Sequence, residues 1–129
     1  MAKNRNVADW VAKAEVDFEA ARMLSRSRKE GMPDAVCYHC QQCAEKYLKA
    51  YLVLHRVAYP KTHDLLKILE MVLTVDALMA VVQREIKFLN PYSIGIRYPG
   101  ESADREEAKK AIKAVISVRE ILRERLGHM

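Results

Sequence analysis

Glycine and proline are scarce, with four of each in 129 residues, about half of the roughly 12% that the pair makes up in average chains. Hairpins and sheet corners draw on these two residues, so an all-β fold is excluded. Cysteine is sparse too. The three present, Cys37, Cys40 and Cys43, are odd in number and crowded into one short stretch, which is not a disulfide framework. No stretch approaches the roughly 18–20 uncharged apolar residues of a membrane span. The start, Met1-Ala2-Lys3-Asn4-Arg5-Asn6, leads into charged sequence and not into a signal-peptide core. A cytoplasmic protein without membrane attachment is expected.

What is present suits one helical domain over residues 1–129. Half the residues are hydrophobic and 30% are charged, enough for a core and too apolar for a disordered tail. Lys and Arg number 22 against 17 Asp and Glu, a formal charge of +5. That balance permits an anionic partner such as a nucleotide or RNA. The basic residues are spread along the chain, which argues against a simple nucleic-acid arm.

Breakers cluster at Gly31-Met32-Pro33, at Tyr59-Pro60-Lys61-Thr62, and from Asn90-Pro91 to Pro99-Gly100. Between them every segment has helical periodicity. The first helix follows Asn6 as its N-cap, with Val7, Trp10, Val11, Ala14, Phe18 and Ala21 on one face. The second, about Asp34 to His55, turns Val36, Cys40, Cys43, Ala44, Tyr47, Leu48 and Tyr51 to one half of the wheel. Its other half carries His39, Gln41, Gln42, Glu45, Lys46 and Lys49. A third helix runs from about Thr62 or His63 to Leu73, with Thr62 as N-cap. In a fourth, capped by Asp76, Leu78, Val81, Val82, Ile86 and Leu89 form a stripe that Pro91 ends. Asp104 and Glu107 fit a capping box for the last helix, which faces inward through Ala108, Ala111, Ile112, Val115, Val118 and Leu122. The expected architecture is all-α, a single up-and-down bundle of about five helices.

Four groups of residues could carry chemistry. Three thiols spaced Cys37-x-x-Cys40-x-x-Cys43 can ligate a metal, but on one continuous helix they fall across its apolar half, where cysteine packs as a small hydrophobe. No metal or cofactor is expected. His39, Gln42, Lys46 and Lys49 form a ridge able to hydrogen-bond an anion or a second protein surface. Tyr38, Leu52 and Val53 interrupt that ridge with apolar bulk, which points to contact with another chain. Arg56 and His63 flank a short joint. Cleaving RNA without metal needs a base for the 2′-hydroxyl, an acid for the leaving oxygen and positive charge on the phosphorane, and His and Arg suit those tasks. Finally, Arg97 can clamp a phosphate while Tyr98 stacks on a base.

Taken together, these segments resemble the HEPN (higher eukaryotes and prokaryotes nucleotide-binding) domain. The resemblance rests on an opening helix with Trp10 and Asp17, on Cys37-Tyr38-His39-Cys40-Gln41-Gln42-Cys43-Ala44-Glu45-Lys46-Tyr47-Leu48-Lys49-Ala50, on Lys61-Thr62-His63-Asp64-Leu65, and on Ile96-Arg97-Tyr98-Pro99. It implies a small helical bundle that dimerises, in prokaryotes often encoded beside a minimal nucleotidyltransferase partner. It also implies a metal-independent endoribonuclease acting as a toxin in a toxin-antitoxin module, through an Arg-x(4–6)-His motif assembled across the dimer. Arg56 and His63 are the pair with that spacing here, with Val57 where the family usually has a polar residue. The alternative is a non-catalytic nucleotide-binding or partner-binding subunit of a nucleotidyltransferase complex, using Arg97, Tyr98 and the ridge.

Overall fold

A computed structural model describes residues 2–93 and 100–127. The helices are α1 (Ala2–Ser25), α2 (Met32–Leu54), α3 (Leu65–Val75), α4 (Gln83–Leu89) and α5 (Arg105–Arg125). Short 3-10 segments, Ala77–Val82 and Asn90–Ser93, flank α4, and no strand occurs among the described residues. The all-α fold class is as the periodicity predicts.

Local chemistry places most of the boundaries, and some differ from expectation. α1 begins upstream of Asn6. Gly31, at φ 81, turns the chain into α2, which opens through Pro33. α3 starts later than Thr62. Its N-cap is Asp64, which accepts from the Leu66 amide at 3.0 Å, while Thr62 Oγ1 accepts from the Asp64 amide at 3.1 Å. Asp76 does cap the next segment, but that segment is 3-10. Its period of three sets Met79 and Val82 inward, leaving Leu78 68% and Val81 61% exposed, so the fourth stripe is Met79, Val82, Ile86 and Leu89. The Asp104–Glu107 capping box forms as expected.

α2 is the axis of the bundle, packed on α1, α5 and α3. Side-chain pairs give the helix directions. Along α2, His39 meets Asp17 and Lys49 meets Trp10, so α1 runs antiparallel. Asp34 accepts from the Ala103 amide, and Arg123 reaches Tyr47, so α5 runs parallel to α2. α3 is parallel to α2 as well, because His63 sits beside Glu45 and Asp76 beside Tyr51. The alternation of the bundle is therefore broken at one joint, where residues 55–64 run back along α2 before α3 begins.

That return starts with a Schellman turn. The Val57 amide donates to Leu52 O at 2.9 Å and the Arg56 amide to Val53 O at 3.0 Å, with Arg56 at φ 61. The core is continuous from Val11, Ala14 and Phe18 through Cys40, Cys43 and Leu48 to Val115, Val118 and Leu122. All three thiols are buried, as the wheel predicts, and desolvation pushes the Cys40 and Cys43 thiols up, so they remain protonated.

Candidate functional site

The polar half of α2 is covered by its own chain. Gln41, Gln42, Glu45 and Lys49 are buried, with Trp10 of α1 and Tyr59 of the returning link above Lys49. This corrects the reading of that half as a ridge open to an anion or a second protein. Leu52 is 0% exposed within the chain, so it is not a contact to another one. The cause is the return of residues 55–64 along α2, which helical periodicity does not report.

Glu45 organises the first of two networks. Its carboxylate takes Lys49 Nζ at 2.9 Å and His63 Nδ1 at 3.0 Å. Gln41 Nε2 donates to the His63 carbonyl at 3.0 Å, and Gln42 Nε2 to Gln41 Oε1 at 2.8 Å. Lys49 Nζ lies 5.7 Å from the Trp10 ring centre and 5.6 Å from that of Tyr59, a cation-π arrangement at a desolvated ammonium. Trp10 and Tyr59 meet edge to face at 5.2 Å. The imidazole of His63 nevertheless remains 69% exposed. In the neutral ring, a carboxylate at Nδ1 selects the tautomer protonated there and leaves Nε2 as the acceptor.

Asp17 organises the second. It is itself buried and takes His39 Nδ1 at 2.8 Å and Lys46 Nζ on its other oxygen. His39 and Lys46 keep partial exposure, at 29% and 23%.

Of the residues selected from sequence, His63, Lys49 and Gln42 thus share one network, and His39 with Lys46 another. Arg56 stands exposed at the left-handed end of α2, its side chain free of hydrogen bonds and ion pairs among the described residues. Arg97 and Tyr98 lie outside the described residues. No cluster of three or more His, Cys, Asp or Glu side chains able to hold a metal occurs among the described residues.

Residues 7–125 match the HEPN domain family. The chain belongs to that family. A protein of Methanocaldococcus jannaschii named "Putative toxin MJ1304" is similar to this HEPN chain, 40% identical over 50 residues. Those residues are 39% of this chain and 31% of the relative, so the chain spans under a third of that relative's length. No solved structure matches the chain significantly. Among the described residues, no helix of this HEPN domain is long and apolar enough to cross a membrane.

Spacing did not single out the groups that hold the site together. Glu45 is the hub, yet the wheel shows it only as one polar residue among six. Its i,i+4 relation to Lys49 was the available signal. Nor does spacing report the roles of Gln41, Trp10 and Tyr59 in the network, since these depend on where the link after α2 goes.

Proposed function

We propose that this HEPN protein is of the toxin type and acts as a metal-independent endoribonuclease, with His63 exchanging the proton and Arg56 meeting the phosphate. The observation that carries the reading is an exposed imidazole whose Nδ1 lies 3.0 Å from a buried carboxylate. The similarity to a relative named as a toxin supports it. Nε2 of His63 accepts the proton of an RNA 2′-hydroxyl. The 2′-oxygen then bonds to phosphorus, the bond from phosphorus to the 5′-oxygen breaks, and that oxygen takes up a proton from a protonated imidazole. The products are a 2′,3′-cyclic phosphate and a 5′-hydroxyl. Arg56 places positive charge where the phosphorane gathers negative charge.

The reading includes a homodimer in which Arg56 of one protomer serves His63 of the other. Its partner chain in the cell is a minimal nucleotidyltransferase. The test is incubation of the purified protein with RNA in EDTA. Cleavage with cyclic phosphate ends is expected, reduced about 10²- to 10⁴-fold in His63→Ala. No cleavage by the wild type, or equal cleavage by both, overturns the enzyme and leaves the non-catalytic nucleotide-binding or partner-binding subunit, which co-purification with the transferase would then check.

A further inference from the structure

The imidazole of His63 is 69% exposed, yet the backbone that carries it is tied on both sides by polar side chains from other elements. The His63 carbonyl accepts from Gln41 Nε2 of α2 at 3.0 Å. On the far side stands Asn90, the first residue of the 3-10 segment after α4. Its Oδ1 accepts from the Leu65 amide at 2.7 Å, and its Nδ2 donates to Asp64 Oδ1 at 3.2 Å. Between these two clamps the Asp64 amide donates to Thr62 Oγ1 at 3.1 Å. The ring is anchored separately, through Nδ1 on Glu45 at 3.0 Å.

Core packing does not account for Gln41. The side chain is 0% exposed, and Cys37, Ala44, Leu48 and Leu52, which share its side of α2 at helical spacing, are equally buried and apolar. Burying an amide is costly unless its donor and acceptor are both bonded, whereas Met or Leu would fill the same volume with no such demand. What the amide adds is direction. Gln42 Nε2 donates to Gln41 Oε1 at 2.8 Å, which fixes the amide plane and leaves Nε2 pointing at one carbonyl, that of His63. Asn90 adds direction in the same way, since it bonds the residue after His63 through a side chain and the next one through its amide.

We infer that Gln41 and Asn90 are positioning residues for His63: together they hold its backbone, so that the Glu45 contact fixes the ring in one orientation. A group that works in a single geometry has to be held to within about 0.5 Å by neighbours whose own rotamers are locked. Glu45 alone cannot do this, because a ring tied at one nitrogen still follows any movement of the link that carries it. With the carbonyl on Gln41 and the following residues on Asn90, that movement is stopped on both sides of His63. The role rests on the reading of His63 as the proton-exchanging group, and it gives a task to a buried glutamine and to an asparagine that neither helix capping nor packing singles out.

The experiment compares the full-length wild type with Gln41→Met and Asn90→Ala, both of which keep Glu45 and His63. On RNA in EDTA each variant is expected to lose between about tenfold and 10²-fold in kcat with KM unchanged, because neither side chain meets the substrate. A second readout needs no RNA: nitrogen NMR of the imidazoles at a pH where the rings are neutral. The wild type is expected to show His63 in the single form protonated at Nδ1, and Gln41→Met to convert it to a mixture of both tautomers. His39, bonded to Asp17 in the other network, keeps its signal and reports that the fold is intact. Asn90→Ala reads the same clamp from its other side if Gln41→Met fails to fold. If the wild type leaves RNA uncut, the nuclease reading falls and the positioning role with it. If the wild type cleaves, the inference alone is overturned when the variants keep their kcat, when the loss appears in KM, when the His63 signal stays as in the wild type, or when His63 and His39 change together.

Discussion

Arg56 occupies the one backbone position of the described chain where a residue other than glycine has positive φ. The left-handed region costs an L side chain roughly 1–2 kcal/mol, while glycine loses about 0.5–1 kcal/mol in extra unfolded-state freedom. Arg56→Gly should therefore raise stability by up to about 1.5 kcal/mol, seen as a higher urea midpoint, while Arg56→Ala keeps the strain. If the guanidinium serves the phosphate, both variants lose RNA cleavage. A glycine variant that is more stable and equally active would remove Arg56 from the site. The opposite balance holds at Glu45. Its truncation to Ala strands the Lys49 ammonium beneath Trp10 and Tyr59, and breaking a buried pair this way costs about 3–5 kcal/mol. Thermal melts of Glu45→Ala and of a Glu45→Gln/Lys49→Met double variant check this, since the double variant removes both charges and should keep most of the stability.

Between helices, stability hangs on phenol–carboxylate pairs whose pH limits follow from their shifts. Glu15 of α1 is held below the usual carboxylate range, chiefly by the Arg119 hydrogen bond from α5 and also by the Tyr47 hydroxyl. Asp76 is lowered by the Tyr51 hydroxyl. Tyr51 itself is pushed up to about 12 by burial and by Asp76, and Tyr47 is raised by burial and Glu15. A lowered carboxylate stabilises the fold above its unfolded pKa of about 4 and loses that contribution as pH falls. A raised phenol stabilises below its unfolded pKa of about 10 and loses its contribution above it. Chemical unfolding across pH should thus show a plateau between roughly pH 5 and pH 9 that falls at both ends, with the alkaline fall moved or blunted in Tyr51→Phe. These pairs also mark the limit of what could be read from the chain. Helix faces, the capping box and the buried thiols were legible, because 3.6-residue periodicity and capping chemistry are local. The 3-10 segment at Ala77–Val82 was not, since Leu78 and Val81 have the same residue types as core positions. Nor was the path of residues 55–64, which decides that Glu45 meets His63: it depends on a left-handed turn at an arginine, where sequence statistics favour glycine.

At the scale of the whole molecule, the proposed reading sets the chemistry across two chains. In the proposed dimer, His63 is held by Glu45 of its own chain, and two-fold symmetry would supply each imidazole with the guanidinium of the other copy's Arg56. The arrangement makes a prediction that no single-chain site shares. Arg56→Ala and His63→Ala are each inactive as homodimers. Mixed and allowed to exchange subunits, half the dimers pair one of each. In such a heterodimer one site has lost both groups, and the other keeps the intact Arg56 of one chain opposite the intact His63 of its partner. With equal amounts, about a quarter of the wild-type cleavage rate should return, on the assumption of random C2 pairing. Sedimentation of the mixture confirms that dimers are present, and the same mixing with Arg56→Ala alone sets the baseline. A site built within one chain gives no recovery at any ratio, so dimers without recovered cleavage would place both groups in the same protomer, and a monomer at micromolar concentration would remove the two-chain site altogether.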